Sequence, residues 1–310
     1  MSVAIDVVIP VYGGWTLTES CLRHLALQTA EHRVIVVDNA SPDDTVARVR
    51  AAFPAVAVVE MGRNAGFAAA CNAGIRAGAG GIVVLLNNDV DAPPEFLERL
   101  IAPLALDPRL GSSAPLLLRP DGRVDSVGIC CDRTLAGFAR LAGTGPDEGA
   151  GATRPQLLGP SGACGAYRRA ALDAVGPLDE AIFMYSEDLD IALRLRAAGW
   201  GATAVTDARA VHHGSATVVR RSAQQRRWAG FARGHLIRKY GLLRSRAAAR
   251  TVVSELLACA GDAVLARDLA AVRGRSAGLR SRGPVGARIP AEGVDHSIGL
   301  REAFRLRRAA

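Results

Sequence analysis

Three carboxylate clusters in this 310-residue chain follow directly on apolar runs. Asp38 closes Val34-Ile35-Val36-Val37. Asn87-Asn88-Asp89-Val90-Asp91 closes Ile82-Val83-Val84-Leu85-Leu86. Glu187-Asp188-Leu189-Asp190 follows Phe183-Met184-Tyr185-Ser186. A single acid after a strand often serves only a turn. Repeated placement on strand after strand points further, because parallel strands all run one way and would aim Asp38 and Asp89 into one crevice at the carboxyl edge of a sheet. Acids gathered there suit a hard divalent cation carrying a diphosphate. Mg2+ or Mn2+ takes oxygen ligands from one or two carboxylates and fills its shell with phosphate oxygens and water. Asp89 is the best-placed ligand, with Asp91 as a helper. Later, Val211-His212-His213-Gly214-Ser215 sets imidazoles after a short strand. A histidine such as His212 would complete the shell and favour Mn2+ over Mg2+.

The elements that must hold these groups can be read from the hydropathy pattern. Residues 3–9, 34–37, 56–59 and 82–86 read as buried parallel strands. Helical patterns over 16–28, 43–52 and 67–77 lie between them, and Pro93-Pro94 opens another to about 104. This alternation predicts an α/β chain with a doubly wound, mostly parallel sheet and helices on both faces. It breaks after that helix. Residues 111–141 read as extended segments with turns, 143–155 as a flexible Gly/Pro/Thr loop, 168–175 and 186–198 as helices, and 203–205 and 210–212 as two short strands. From 220 the chain reads as mostly helical to 273, loop-like over 274–300, and amphipathic and basic over 300–308.

Composition excludes several classes. At 49% hydrophobic and 22% charged residues, disorder over most of the chain is ruled out. The 33 glycines have no three-residue period. The six cysteines form no CxxC pair, which predicts buried thiols in a reducing, cytoplasmic compartment. The N-terminus enters a strand pattern without a basic n-region, and no run of about eighteen apolar residues suggests a membrane span. Charge is uneven. Net charge is +8, but residues 220–310 alone carry 20 basic and 6 acidic residues, a net of +14, against −6 for the rest. Such a segment attracts anionic lipid, nucleic acid or phosphorylated substrates.

Taken together, Val8-Ile9-Pro10-Val11-Tyr12, Val36-Val37-Asp38-Asn39-Ala40-Ser41, the run from Asn64-Ala65-Gly66-Phe67 to Asn72-Ala73-Gly74, Leu85-Leu86-Asn87-Asn88-Asp89, Gly176-Pro177-Leu178-Asp179-Glu180, and the run from Phe183 to Asp190 with Arg194 closely resemble family 2 glycosyltransferases. Within these, the rhamnosyltransferase-like bacterial branch is most similar. The resemblance covers about residues 3–217. It implies a GT-A fold over 1–218, with a nucleotide-binding half at about 1–110 and an acceptor half at about 111–218, followed by a basic, mainly helical C-terminal extension over 219–310.

The resemblance also implies roles. Pro10, Tyr12 and Asp38 would line the nucleoside pocket, Asp38 accepting from the N3–H of uracil or thymine. Arg63 or Asn64 would sit beside the nucleotide, and Asn72 and Asn88 would join the donor site. Asp89 and His212 would hold Mn2+ or Mg2+, His212 opening the preserved His-x-Gly-Ser-x-Thr motif over 212–217. Glu187-Asp188 matches the catalytic pair, with Asp188 as base. Some positions depart from the family pattern. Asn87 and Asn88 stand where its metal motif has an acid, Gly13-Gly14 replaces a common Asn, and Leu178 replaces Phe.

The implied chemistry is inverting transfer of a sugar from a nucleoside diphosphate, UDP- or dTDP-linked, to a glycan, lipid-linked or small-molecule hydroxyl. A cation neutralises charge on the departing diphosphate, and a carboxylate takes the incoming hydroxyl's proton. Ser186 reads as an N-cap, which would set Glu187 and Asp188 in a helix's first turn and keep the base unprotonated at neutral pH. Adjacent helical residues point about 100° apart, so one of the pair faces the acceptor. Residues 143–155 would form a mobile loop over the site. The basic tail with Trp228, Phe231 and Tyr240 would dock on the inner face of the plasma membrane. A nucleotidylyltransferase would want a basic residue in the Tyr12-Gly13-Gly14-Trp15 turn, and a nucleic-acid binder a recognisable module. The sequence shows neither, so no nucleic-acid partner is expected.

Overall fold

The computed structural model describes residues 4–214 and 222–309. The first half alternates as its hydropathy predicts: β1 (Ile5–Val11), α1 (Trp15–Leu25), β2 (Arg33–Asp38), α2 (Thr45–Ala52), β3 (Ala57–Glu60), α3 (Phe67–Ala77) and β4 (Ile82–Leu86). These strands pair in parallel in the order β3-β2-β1-β4. Their runs are apolar throughout because both faces are covered. Val7, Ile9 and Val11 of β1 pack with Cys21, Leu22 and Leu25 of α1 on one face. Val8 packs with Ala68, Ala70 and Cys71 of α3 on the other. Fully burying each large side chain contributes about 1.5–3 kcal/mol.

The second half is mixed. It runs through β5 (Val90–Asp91), α4 (Phe96–Leu106), β6 (Leu110–Leu118), β7 (Val124–Ser126), β8 (Ile129–Asp132), β9 (Gly137–Ala139), α5 (Pro146–Gly151), β10 (Cys164–Arg168), α6 (Arg169–Val175), α7 (Glu187–Ala197) and β11 (Gly201–His212). β10 inserts antiparallel between β4 and β6, and β11 lies parallel to β6 and antiparallel to β5. The run of parallel neighbours is therefore interrupted after β4 by β10 and resumes between β6 and β11. The two short strands expected over 203–205 and 210–212 are one strand, β11, with a register shift between Val205 and Arg209. The segment expected to be a mobile loop contains α5 and is anchored by the buried Arg140. Its guanidinium donates to the carbonyls of Ala152 and Pro155, both at 2.6 Å.

The basic region folds as α8 (Ala223–Lys239), α9 (Ala248–Ala266), α10 (Ala270–Leu279), β12 (Val294–Asp295) and α11 (Leu300–Ala309). The boundary expected at 218 and the Ser215–Thr217 part of the histidine motif lie outside the described residues, as do Arg220 and Arg221. Leu236, Ile237 and Tyr240 share a hydrophobic cluster with Ile129, Leu189 and Leu193, and β12 pairs with β8. The loop expected from 274 begins later, because α10 runs to Leu279. Gly274 and Gly278 read as breakers, yet they let α10 approach α8 at Gly230 and Gly234, where a Cβ on either side would meet the partner helix's backbone.

Candidate active site

The site is built at the carboxyl ends of β1, β2 and β4. After β1, Gly13 and Gly14 take left-handed φ of 69° and 81°. Their N–H groups donate to Ser41 Oγ (2.7 Å) and Asp43 Oδ2 (3.1 Å), which fastens the β1–α1 turn to the β2–α2 turn. Tyr12 stands beside them, 39% exposed, and Pro10 is half-buried. Asp38 ends β2 and is buried, and its Oδ1 accepts the Ser41 N–H at 2.9 Å. Asn39, which sequence reasoning left without a role, donates to Asn64 Oδ1 (3.0 Å) and Gly66 O and accepts from the Ala65 N–H. Asn64 thus shapes its own turn, and Arg63 next to it is exposed.

Two expected donor-site residues make hydrogen bonds within the protein. Asn72 is buried, donates to Leu178 O and Glu180 Oε1, and accepts from the Leu178 N–H, all at 2.9 Å. Its amide clasps α3 to the 178–180 turn. Asn88 is buried and donates to Thr18 Oγ1 at 2.9 Å, bracing α1.

Asp89 is different. It is 4% exposed, and its Oδ1 is buried without a hydrogen-bond partner. His212 Nε2 lies 3.3 Å from that oxygen. The other ring nitrogen, Nδ1–H, donates to Asp125 Oδ2 at 2.8 Å. Asp125 was missed because it follows an ordinary-looking turn and nothing in its spacing points to His212. Burial, the largest influence, works to lower the His212 imidazole. The Asp125 and Asp89 carboxylates outweigh it and raise the group to about 9. Once the ring gives up its Nε2 proton, this carboxylate oxygen, which has no hydrogen-bond partner, and the braced imidazole fit a divalent cation's donor set, with diphosphate oxygens supplying the remainder. Among the described residues no three His, Cys, Asp or Glu side chains form a ready-made cage. Asp91 does not join this corner. It accepts from Ser20 Oγ (2.8 Å) and His213 Nε2 (2.9 Å), bracing α1 against the end of β11.

The carboxyl pair opens α7. Tyr185 and Ser186 turn the chain with φ of 72° and 67°, conformations that side chains rarely adopt. Ser186 occupies the N-cap position but makes no side-chain cap, contrary to expectation. Asp188 is half-buried. Its Oδ2 accepts the Gly162 N–H (2.9 Å) and its Oδ1 the Leu189 N–H (2.7 Å). Glu187 is buried and its Oε2 has no partner. Burial pushes Glu187 up to about 8, with the Asp188 charge adding to it. Burial raises Asp188 as well, while the two backbone donors oppose it. Desolvation thus works against the helix terminus, which was expected to keep the base ionised. Glu187, pushed up to about 8, keeps its proton at neutral pH.

The two corners are tied through one strand entry. Gly162 holds Asp188, the next residue's carbonyl, Ala163 O, accepts the Asn87 N–H (2.9 Å), and Ser161 Oγ meets Ser126 Oγ (3.2 Å) beside Asp125. Other motif residues serve as scaffold. Asp190 takes Arg194 Nε (2.8 Å), Lys239 Nζ (2.7 Å) and Tyr240 Oη (3.1 Å), while Asp179 takes Lys239 Nζ and His235 Nε2. Burial, the largest influence, works to raise Asp179, but His235 and Lys239 outweigh it and hold its carboxyl well below the usual carboxylate range. Tyr240 is buried, and Trp228 packs against Phe183 in a tilted ring contact with centroids 4.7 Å apart, so the aromatic trio expected at a membrane faces inward in part.

The profile of the family described as Glycosyl transferase family 2 matches residues 6–176, more than half of the chain. The chain belongs to the family 2 glycosyltransferases. A second profile, Glycosyl transferase family group 2, matches residues 151–267. The family 2 chain is 31% identical over 237 residues to the N-acetylglucosaminyl-diphospho-decaprenol L-rhamnosyltransferase of Mycobacterium tuberculosis (strain ATCC 25618 / H37Rv), covering 69% of this chain and 77% of that one. Its fold resembles the mannosyltransferase PcManGT from Pyrobaculum calidifontis in complex with GDP-Man and Mn2+. The TM-score is 0.51 and the identity 24%, covering 74% of this chain and 61% of that one. Residues 1–349 of S. aureus TarS give a TM-score of 0.54 at 17% identity, covering 82% and 69%. These likenesses show the GT-A fold.

Proposed function

We propose that this family 2 glycosyltransferase moves a sugar, with inversion, from a dTDP- or UDP-linked donor to a hydroxyl of a lipid-linked glycan. L-Rhamnose is the first candidate sugar, by likeness to the rhamnosyltransferase above. The observation that carries the reading is the orphaned Asp89 Oδ1 facing a His212 ring braced by Asp125. Mn2+ or Mg2+ held by Asp89 and His212 would supply Lewis-acid neutralisation of the departing diphosphate.

The chain's own groups do the rest. Asp38, its Oδ1 fixed by Ser41, presents its second oxygen to the N3–H of a pyrimidine ring, and Tyr12 offers its exposed ring to the nucleoside. Asp188, oriented by Gly162 and Leu189, accepts the acceptor hydroxyl's proton as that oxygen bonds to the anomeric carbon. The bond from anomeric carbon to diphosphate oxygen breaks, and its electron pair leaves with the diphosphate. Glu187, protonated beside Asp188, adds no second negative charge against the incoming oxygen.

The test is release of nucleoside diphosphate from a panel of dTDP-, UDP- and GDP-sugars with a polyprenyl-diphosphate-linked acceptor, with and without Mn2+. One pyrimidine-linked donor should react only with acceptor present and give a product of inverted anomeric configuration. Turnover of GDP-sugars alone, or retention of configuration, would contradict the reading.

A further inference from the structure

The C-terminal region carries a surface that sugar transfer does not use. On α9, Val252, Val253, Leu256, Leu257 and Val264 are 45–75% exposed, and Leu265 in the last turn is 88% exposed. The first five lie along one stripe of the helix by their spacing. The opposite face is polar and buried: Thr251, Ser254 and Glu255 point inward. Glu255 accepts from Arg233 Nε and Arg275 Nε, both at 2.7 Å, and neighbouring Arg250 reaches Asp132 at 3.1 Å. An ordinary surface helix turns its apolar stripe inward and its charges outward. α9 does the reverse, and an exposed aliphatic patch of this kind marks a contact surface.

Charge decides what that contact is. Exposed Arg244 and Arg246 precede the helix and exposed Arg267 follows it, in a segment, 220–310, with a net of +14. A second copy seated on the same face would bring two strongly basic regions together. An anionic bilayer offers both what the stripe lacks and what the arginines lack: an acyl boundary for the aliphatic side chains and phosphates for the guanidiniums. No described helix is long and apolar enough to cross a membrane, so α9 would lie in the interface plane.

We propose that the outer face of α9 is a docking surface for an anionic phospholipid membrane, with Leu256, Leu257 and Val264 seated at the acyl boundary and Arg244, Arg246 and Arg267 on the headgroup phosphates. This surface replaces the partly buried aromatic trio of α8 as the membrane contact, and it does not depend on which sugar or acceptor is used.

The experiment is flotation of the full chain with phosphatidylcholine vesicles, with and without phosphatidylglycerol, at low salt. The wild type should float with phosphatidylglycerol vesicles and stay behind with phosphatidylcholine alone. The triple variant Leu256→Ser, Leu257→Ser, Val264→Ser removes only exposed side chains. It should melt as the wild type does and lose at least about tenfold in partitioning. Replacing Arg244, Arg246 and Arg267 by Gln should cost about fivefold for each arginine removed. Flotation of the serine variant equal to wild type would overturn the proposal. So would a wild-type dimer that ignores vesicles and becomes monomeric in the serine variant, since the face would then belong to a second copy. Capture of an acidic protein partner by a chain that does not float would overturn it equally.

Discussion

The Nδ1–H of His212 donates to Asp125 Oδ2 at 2.8 Å, and that bond sets the opposite ring nitrogen 3.3 Å from the unpartnered Oδ1 of Asp89. Asp125 positions an imidazole rather than touching substrate. Partners of this kind fix both the tautomer and the direction of a ligating ring. Asp125→Asn should therefore weaken Mn2+ binding about 10–100-fold while leaving pyrimidine nucleotide binding measured without metal unchanged. Titration calorimetry with Mn2+ and with dTDP separates the two. Equal weakening of both would mean that the substitution had only disturbed the fold.

The Glu187–Asp188 pair makes a prediction about pH. Burial raises both carboxyls, and Glu187 retains its proton to about 8. Turnover should rise with pH as Asp188 ionises, on a limb above the ordinary aspartate range. Glu187→Gln imitates that neutral acid. It should keep turnover within about tenfold and leave the limb in place, since removing a positioned base costs about 100-fold or more. A limb that vanishes in Glu187→Gln would make Glu187 the base.

Glu255 gives the opposite sign for stability. Its carboxyl is held at about 2, because Arg233 and Arg275 overcome the burial that would raise it. A depressed folded value adds stability that is complete above the unfolded glutamate range and is lost as pH falls toward 2. The contribution is on the order of 3 kcal/mol at neutral pH. Melting curves of wild type and Glu255→Gln should differ most near pH 7 and draw together as pH falls from about 5 toward 2. A constant difference across that range would remove the ion-pair explanation.

Gly234 offers a test of the helix packing beneath the proposed membrane face. An exposed helical glycine replaced by alanine gains about 1 kcal/mol. At Gly234 the added Cβ would meet the Arg275 backbone of α10, so the sign should reverse. Gly234→Ala should lose about 1–3 kcal/mol in urea denaturation. A gain would show that α8 and α10 can separate at little cost.

Much of this architecture was legible in the sequence. Wherever one strand is covered on both faces, as with β1 and β4, its run of Val, Ile and Leu announces it without reference to partners. Asp38 and Asp89 followed from their position after such runs. What stayed hidden depends on contacts between distant segments. Asp125 meets His212 across 87 positions, and Asn72 meets Leu178 across 106. Neither spacing carries a signal. The glycines of α10 looked like breakers because their value lies in the helix they touch. The raised carboxyls of α7 escaped a helix-terminus argument because local dipoles are visible in sequence and desolvation is not. α9 reads only as part of a mostly helical stretch, and the folded chain alone shows which of its faces is outward.

Asp188 is proposed as the base of a glycosyl transfer whose donor is held by other groups. That role is tested most directly by Asp188→Asn, with nucleotide-sugar binding followed by calorimetry and transfer by product formation at the same pH. Donor affinity should stay within about threefold of wild type while turnover falls by about a thousandfold or more, the scale on which a positioned base acts. Near-wild-type turnover in that variant would contradict the assignment.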